Sequence, residues 1–166
     1  MIILGIDTSL RCTGYGVVEQ KARTPLALRF GVIKTPAAKP HSECLRRLYD
    51  GISIILAENH PDVCSIEGIF FCKNVRTAVT LGQARGAVIA ACAMAGVPVY
   101  EYSPRRVKQS VVGFGGAHKS QVAALVGRIL NLPSLPTEDE TDALALALCH
   151  LHAAGPGSVG TELKPL

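Results

Sequence analysis

The chain has 166 residues, of which 48% are hydrophobic and 18% charged. A mean hydropathy of +0.29 excludes a disordered segment. The length suits one domain with a full core, and the formal charge of +4 permits a polyanionic partner without demanding one.

The chain opens on Met1-Ile2-Ile3-Leu4-Gly5-Ile6, a continuous apolar run that reads as a strand buried on both faces. It ends abruptly at Asp7, and carboxyl ends of strands in open α/β sheets are where ligands bind. A short polar connection leads into a second strand at Tyr15–Glu19 and a third at Leu26–Thr35, closed by Thr35-Pro36, which suggests an antiparallel meander. Phe30, Val32 and Leu28 are expected on one face of the third strand. Between Pro40 and Asn59, Leu45, Leu48, Ile52, Ile55 and Leu56 recur at helical spacing, with Glu43, Arg46, Arg47 and Asp50 outward. His60-Pro61-Asp62 breaks that helix. Val63–Glu67 is then a short strand, and the intervening helix predicts that it lies parallel to the first.

A loop at 68–74 carries Phe70 and Phe71. A long helix follows from Val75 to Ala95, in which Gly82, Ala84, Gly86, Ala87, Ala90 and Ala91 permit close approach of another backbone. Packing on its own sheet and a subunit interface both fit that stripe. Gly96 is a C-cap, and Val97–Tyr102 is a fifth strand whose Pro98 favours a sheet edge. Ser103-Pro104 starts a helix that runs through Val112. Gly113–Ala117 is a flexible loop, a further helix runs to Leu130, and prolines 133 and 136 mark a rigid linker. The last helix spans Thr137–Cys149, with Thr137 and Glu140 as a capping box. Residues 153–166 read as a loose, flexible tail. The order βββαβαβααα is that of an α/β domain with a mixed sheet.

The six cysteines (Cys12, Cys44, Cys64, Cys72, Cys92 and Cys149) show no C-x-x-C pair and no zinc-ligand spacing. Most stand in apolar runs, where cysteine acts as a small hydrophobe. No cleavable leader and no membrane-crossing stretch are expected, which points to a reduced, intracellular protein.

If the first and fourth strands are neighbours, Asp7 and Glu67 meet at one sheet edge. Asp139 and Asp142 are three apart, so their Cβ atoms share a helix face about 5–6 Å apart. Close carboxylates raise one another's pKa values unless divalent cations lie between them. Oxygen ligands without His or Cys select Mg²⁺ or Mn²⁺, and two such ions can clamp a phosphodiester. The blander alternative is that Asp139 and Glu138 oppose a helix dipole and that Asp7 and Glu67 are turn residues.

The words Ile3-Leu4-Gly5-Ile6-Asp7, Thr13-Gly14-Tyr15-Gly16-Val17, Ile66-Glu67, Leu81-Gly82-Gln83-Ala84-Arg85-Gly86, Val107-Lys108-Gln109, Lys119-Ser120-Gln121-Val122 and Asp142-Ala143-Leu144-Ala145 resemble the RuvC family of bacterial Holliday-junction resolvases, within the ribonuclease H-like superfamily. They run in order from residue 2 to about 150. The resemblance implies a ribonuclease H-like five-stranded mixed sheet flanked by helices, with a single nuclease domain over 1–152 and a tail over 153–166. It implies a homodimeric, cytoplasmic endonuclease that makes paired nicks in four-way DNA junctions and leaves 5′-phosphates. Two Mg²⁺ ions per subunit are implied, with Mn²⁺ as a substitute, and RuvA and RuvB as partners. Carried over by position, the catalytic and metal-binding acids are Asp7, Glu67, Asp139 and Asp142, the stacking aromatic is Phe70, and DNA-contacting lysines are Lys108 and Lys119. Phe71 is an additional aromatic. Lys73, Arg76, Arg105, Arg106 and His118 also flank the acidic edge and could neutralise phosphates. The family commonly follows its first aspartate with Pro-Gly; here Thr8-Ser9 stands there, and Gly68 replaces a larger residue.

Two rivals share parts of this pattern. Gly5–Ser9 followed by Thr13-Gly14 also resembles the phosphate-binding hairpin of the actin and sugar-kinase type, which needs a second domain. A non-catalytic junction- or RNA-binding module would keep the fold but not depend on the acids.

Overall fold

The opening apolar run forms β1 (Ile2–Asp7), and the strands around it assemble in the order β3-β2-β1-β4-β5. A computed structural model describes residues 1–21, 24–68, 74–155 and 164–166. Phe70, Phe71 and Lys73 lie outside the described residues. β2 (Cys12–Lys21) pairs antiparallel with β1 and with β3 (Thr24–Lys34), which is the expected meander. β4 (Val63–Glu67) runs parallel to β1, and β5 (Val99–Tyr102) runs parallel to β4 at the edge. Among the described residues this is a five-stranded mixed sheet with helices on both faces, as the ribonuclease H-like resemblance implied.

β1 is apolar throughout because both its faces are covered. Leu4 and Ile6 join the core beneath α1 (His41–Asn59) and α2 (Val75–Met94), while Ile3 faces the opposite core. That second core is built by α3 (Pro104–Val112), α4 (Lys119–Ile129) and α5 (Glu138–Ala154). Alternation of side chains along a strand puts Gly5 and Asp7 on the same face as Ile3, toward α5. On β4 the same rule groups Val63, Ser65 and Glu67, and the buried Ser65 hydroxyl donates to the Leu146 carbonyl of α5 at 2.8 Å.

α5 lies on the sheet at main-chain contact distance. A Cβ at Gly5 would stand 2.7 Å from the Ala147 nitrogen and overlap the Ala143 carbonyl; at Gly14 it would overlap the Asp139 carbonyl. Eight successive residues of α5, Ala143 to His150, are buried. Its first turn is tied by the Glu140 carboxylate, which accepts from the Thr137 N–H and hydroxyl, both at 2.7 Å.

Several details differ from the sequence expectation. The sheet is irregular where Val17 faces Arg29 but Val18 faces Ala27. The intervening Leu28 is 44% exposed, because a bulge removes it from the alternation that Phe30 keeps. α5 continues through Ala154, five residues past Cys149, so the first two residues assigned to the tail are helical. At the other end of the tail, the Leu166 N–H donates to the Val99 carbonyl of β5 at 2.8 Å. The expectation that no stretch could cross a bilayer is corrected by α2, whose 20 residues are long and apolar enough by length and composition. In the fold it packs on α1 and the sheet through Ala84, Val88, Ala91 and Cys92, while its opposite face, with Val75, Val79 and Met94, stays exposed.

Candidate active site at the acidic edge

β1 and β4 are parallel neighbours paired through Ile6 and Ile66, so Asp7 and Glu67, one residue further on, end their strands side by side. Both face α5. Asp142, one turn into that helix, completes the wall of a cleft of about 280 Å³ with them, and Lys108 and Lys119 line the same cleft from α3 and α4.

The electrostatics identify Asp7 as the centre. Its pKa is raised from 3.8 to about 7, first by burial and then by the charges of Asp142, Glu67 and Asp139, with Lys119 opposing. Glu67 is also raised, by burial and by Asp142, against Lys119 and Lys108. All four acids therefore belong to one electrostatic cluster, as the sequence spacing suggested.

Asp139 is the outlier in placement. Its carboxylate accepts from the Cys12 thiol at 2.8 Å, and Asp139 is not part of the cleft wall. Lys119 bonds to Glu138 and stands 3.3 Å from Asp142, and its own pKa is raised chiefly by the bond to Glu138. With Asp139 turned to Cys12 and Asp142 to Lys119, no three Asp, Glu, His or Cys side chains among the described residues form a ready-made ion cage. Yet the donor chemistry suits a hard divalent cation. The acidic oxygens are carboxylates, and the neighbouring Thr8 hydroxyl oxygen is buried with no hydrogen-bond partner among the described residues. Burial and then the neighbouring carboxylates hold Asp7 up, and a cation offsets both by offering the carboxylate a bound positive charge.

The turn after β1, at Thr8-Ser9, is held by buried Thr13. Its hydroxyl donates to the Ser9 carbonyl and accepts from the Ser9 N–H at 3.1 Å. A side-chain clasp of this kind fixes the turn without proline.

The basic residues divide. Lys108 and Lys119 reach the cleft. Arg105 is exposed on the outer side of α3, and Arg106 lies over the Tyr102 ring at 5.9 Å instead of facing the acids. His118 is the N-cap residue of α4, exposed, with its N–H donating to Gln121 Oε1 at 2.9 Å. Arg76 is exposed at the start of α2, whose N-cap Asn74 accepts from the Arg76 N–H at 2.9 Å. Sequence reasoning missed the Cys12 contact, which has no spacing signal because 127 residues separate the partners. It also missed Arg85, which braces the edge by donating to the Glu67 carbonyl and pairing with Glu101 of β5.

The model of the family described as crossover junction endodeoxyribonuclease RuvC matches residues 3–150. A crossover junction endodeoxyribonuclease RuvC of Citrifermentans bemidjiense is 46% identical over 155 residues, covering 93% of this chain and 94% of the relative. Another from Idiomarina loihiensis is 50% identical over 157 residues, covering 92% and 88%. Among solved structures, T. thermophilus RuvC in complex with a Holliday junction substrate superposes with a TM-score of 0.92 at 37% identity, covering 100% of this chain and 99% of that one.

Proposed function

The chain belongs to the RuvC family of crossover junction endodeoxyribonucleases, and we propose that Asp7, Glu67, Asp139 and Asp142 are the acids with which it cuts. It is a nuclease of DNA recombination and repair whose substrate is the four-way Holliday junction. The single observation that carries the site assignment is the meeting of Asp7 and Glu67, from two neighbouring parallel strands, with Asp142 of α5 in one cleft lined by Lys108 and Lys119.

The family is metal-dependent. Here Asp7, Glu67 and Asp142 would hold the ions, with Asp139 joining once its carboxylate leaves Cys12. Two Mg²⁺ per subunit, replaceable by Mn²⁺, match this all-oxygen set. Bound there, they would supply Lewis-acid polarisation of the phosphoryl oxygens and charge stabilisation of the displacement. The chain's own residues do the positioning. Asp7 and Glu67 are fixed by the two central strands, and Asp142 by a helix seated on them. Lys108 and Lys119 bring phosphate to a wall that would otherwise repel it. Water oxygen bonds to phosphorus as the phosphorus–O3′ bond breaks, and the departing O3′ takes a proton, leaving a 5′-phosphate.

A homodimer accounts for the outer face of α2. Val75 (79% exposed), Val79 and Met94 stand out there, and a Cβ at Gly82 or Gly86 would meet nothing. A second copy of the chain would cover that face and place two cutting centres on a two-fold axis, as paired, symmetric nicks require. Domain limits of 1–152 and a tail of 153–166, a cytoplasmic location, and association with RuvA and RuvB complete this reading. Phe70, Phe71, Lys73, Arg76, Arg105 and His118 are its further DNA contacts.

The direct test is cleavage of a synthetic mobile junction with Mg²⁺ or Mn²⁺ by the Asp7→Asn and Asp142→Asn proteins. Both should bind and fail to nick. Persistent cleavage by both would remove the acids from the chemistry.

A further inference from the structure

The geometry points to Phe114 as a DNA-contacting residue in its own right: a ring held ready on the loop between α3 and α4 to stack on a base turned out of the duplex. This rests on the reading that these two helices face the junction. Three observations converge on it.

The ring is exposed, at 67%, in a chain that has only four phenylalanines. It nevertheless rests on its own loop. A Cβ at Gly116 would stand 2.7 Å from its Cε1 and 2.8 Å from its Cζ, so the ring lies directly on that glycine. The loop beneath is closed at both ends. Gly113 takes a left-handed φ of 83° and donates to the Gln109 carbonyl at 2.8 Å, while the buried Ala117 donates to the Phe114 carbonyl at 3.3 Å. An exposed aromatic seated on a hydrogen-bonded loop has less conformational freedom to give up on binding than a free one.

The ring also borders a hollow of about 360 Å³, bounded by Arg105, Gln109 and the glycines of the loop. That falls within the range of about 300–1,000 Å³ typical of small-ligand sites. The Arg105 stem lies against Gly115, so a cation stands beside the aromatic. Arg105 and Lys108 are three apart on α3, neighbours at about 5–6 Å, and Lys108 lines the acidic cleft. The hollow and the cleft are therefore adjacent along one helix. An aromatic face for a base with a guanidinium for its phosphate is the chemistry of single-strand recognition, and a four-way junction offers unpaired bases when it opens.

The chain contains no tryptophan, so Phe114→Trp introduces a single reporter. In an Asp7→Asn background, which keeps the junction intact, the indole emission of that variant should be quenched as junction is added, and more strongly than by an unbranched duplex of the same sequence. Phe114→Ala should weaken junction binding about ten- to a hundredfold, the worth of one base stack, with the melting temperature and the salt slope of binding unchanged. Arg105→Ala should lower that slope by about one phosphate contact. An unquenched indole together with full affinity in Phe114→Ala overturns the inference while leaving junction binding intact. Equal quenching by plain duplex overturns base stacking, and an altered oligomeric state at unchanged affinity reassigns the ring to a protein interface. Failure of the parent protein to bind a labelled junction at all would instead overturn the proposed function, and this inference with it.

Discussion

Asp7→Asn should make the protein more stable when divalent ions are withheld, although the same change should abolish cutting. In the unfolded chain Asp7 releases its proton near 3.8, whereas in the fold it keeps it until about pH 7. Over that window the unfolded state binds fewer protons, so rising pH lowers stability. A displacement of about three pH units, at ~1.36 kcal/mol each, corresponds to a ceiling of about 4 kcal/mol above pH 7. Asparagine keeps the shape and removes the charge. For a chain of this size a gain of about 2–4 kcal/mol would be roughly 5–15 °C in melting temperature. The assay is calorimetric or fluorescence melting of both proteins in EDTA at about pH 4 and pH 8, on either side of that window. The variant should melt well above the parent at the higher pH and close to it at the lower. With several millimolar Mg²⁺ the parent should rise and the variant respond much less, because binding to the native state adds stability by mass action. A variant that melts at or below the parent at the higher pH in EDTA would refute the electrostatic account of this site.

Gly14→Ala should destabilise by at least about 1–3 kcal/mol, the usual cost of overpacking, because its Cβ would overlap the Asp139 carbonyl; urea unfolding measures the loss, and junction cleavage should fall with it. Tyr102→Phe removes the 2.8 Å bond to buried His150 Nδ1, and about 1–3 kcal/mol should be lost in the same assay. Burial holds the His150 pKa below its ordinary 6.5, so that residue's contribution is present above that value and declines as the pH falls below it; His150→Phe should flatten that limb of a stability–pH curve. Lys119→Ala should weaken junction binding and lower the slope of log affinity against log salt by about one; an unchanged slope would exclude a phosphate contact.

The site was legible where local rules carry it. The apolar run before Asp7, the helix that makes β4 parallel to β1, and the three-residue step from Asp139 to Asp142 each constrain placement over a short span. Their meeting follows from those constraints. What could not be read is long-range. Nothing near Cys12 announces Asp139, and nothing near Arg85 announces the Glu67 carbonyl, because such pairings are set by packing and not by period. Leu28 shows the same limit within one strand: a single inserted residue reverses the alternation on which its burial was inferred. Lys119, expected to hold phosphate, also pairs with Glu138 and Asp142, a competition visible only in three dimensions. Gly5 and Gly14 carry no period of their own to mark them, yet they are where a helix backbone rests.

That seating has a consequence for how such an enzyme diversifies. The spacing between Asp7 and the acids of α5 is set by main chain resting on main chain, not by the volumes of intervening side chains. Leucine-for-isoleucine exchanges in either core can therefore accumulate without moving the carboxylates relative to one another. The loop that joins α3 to α4 takes no part in that seating and is free to vary on its own account. Change in that loop leaves the relative placement of the carboxylates as it is.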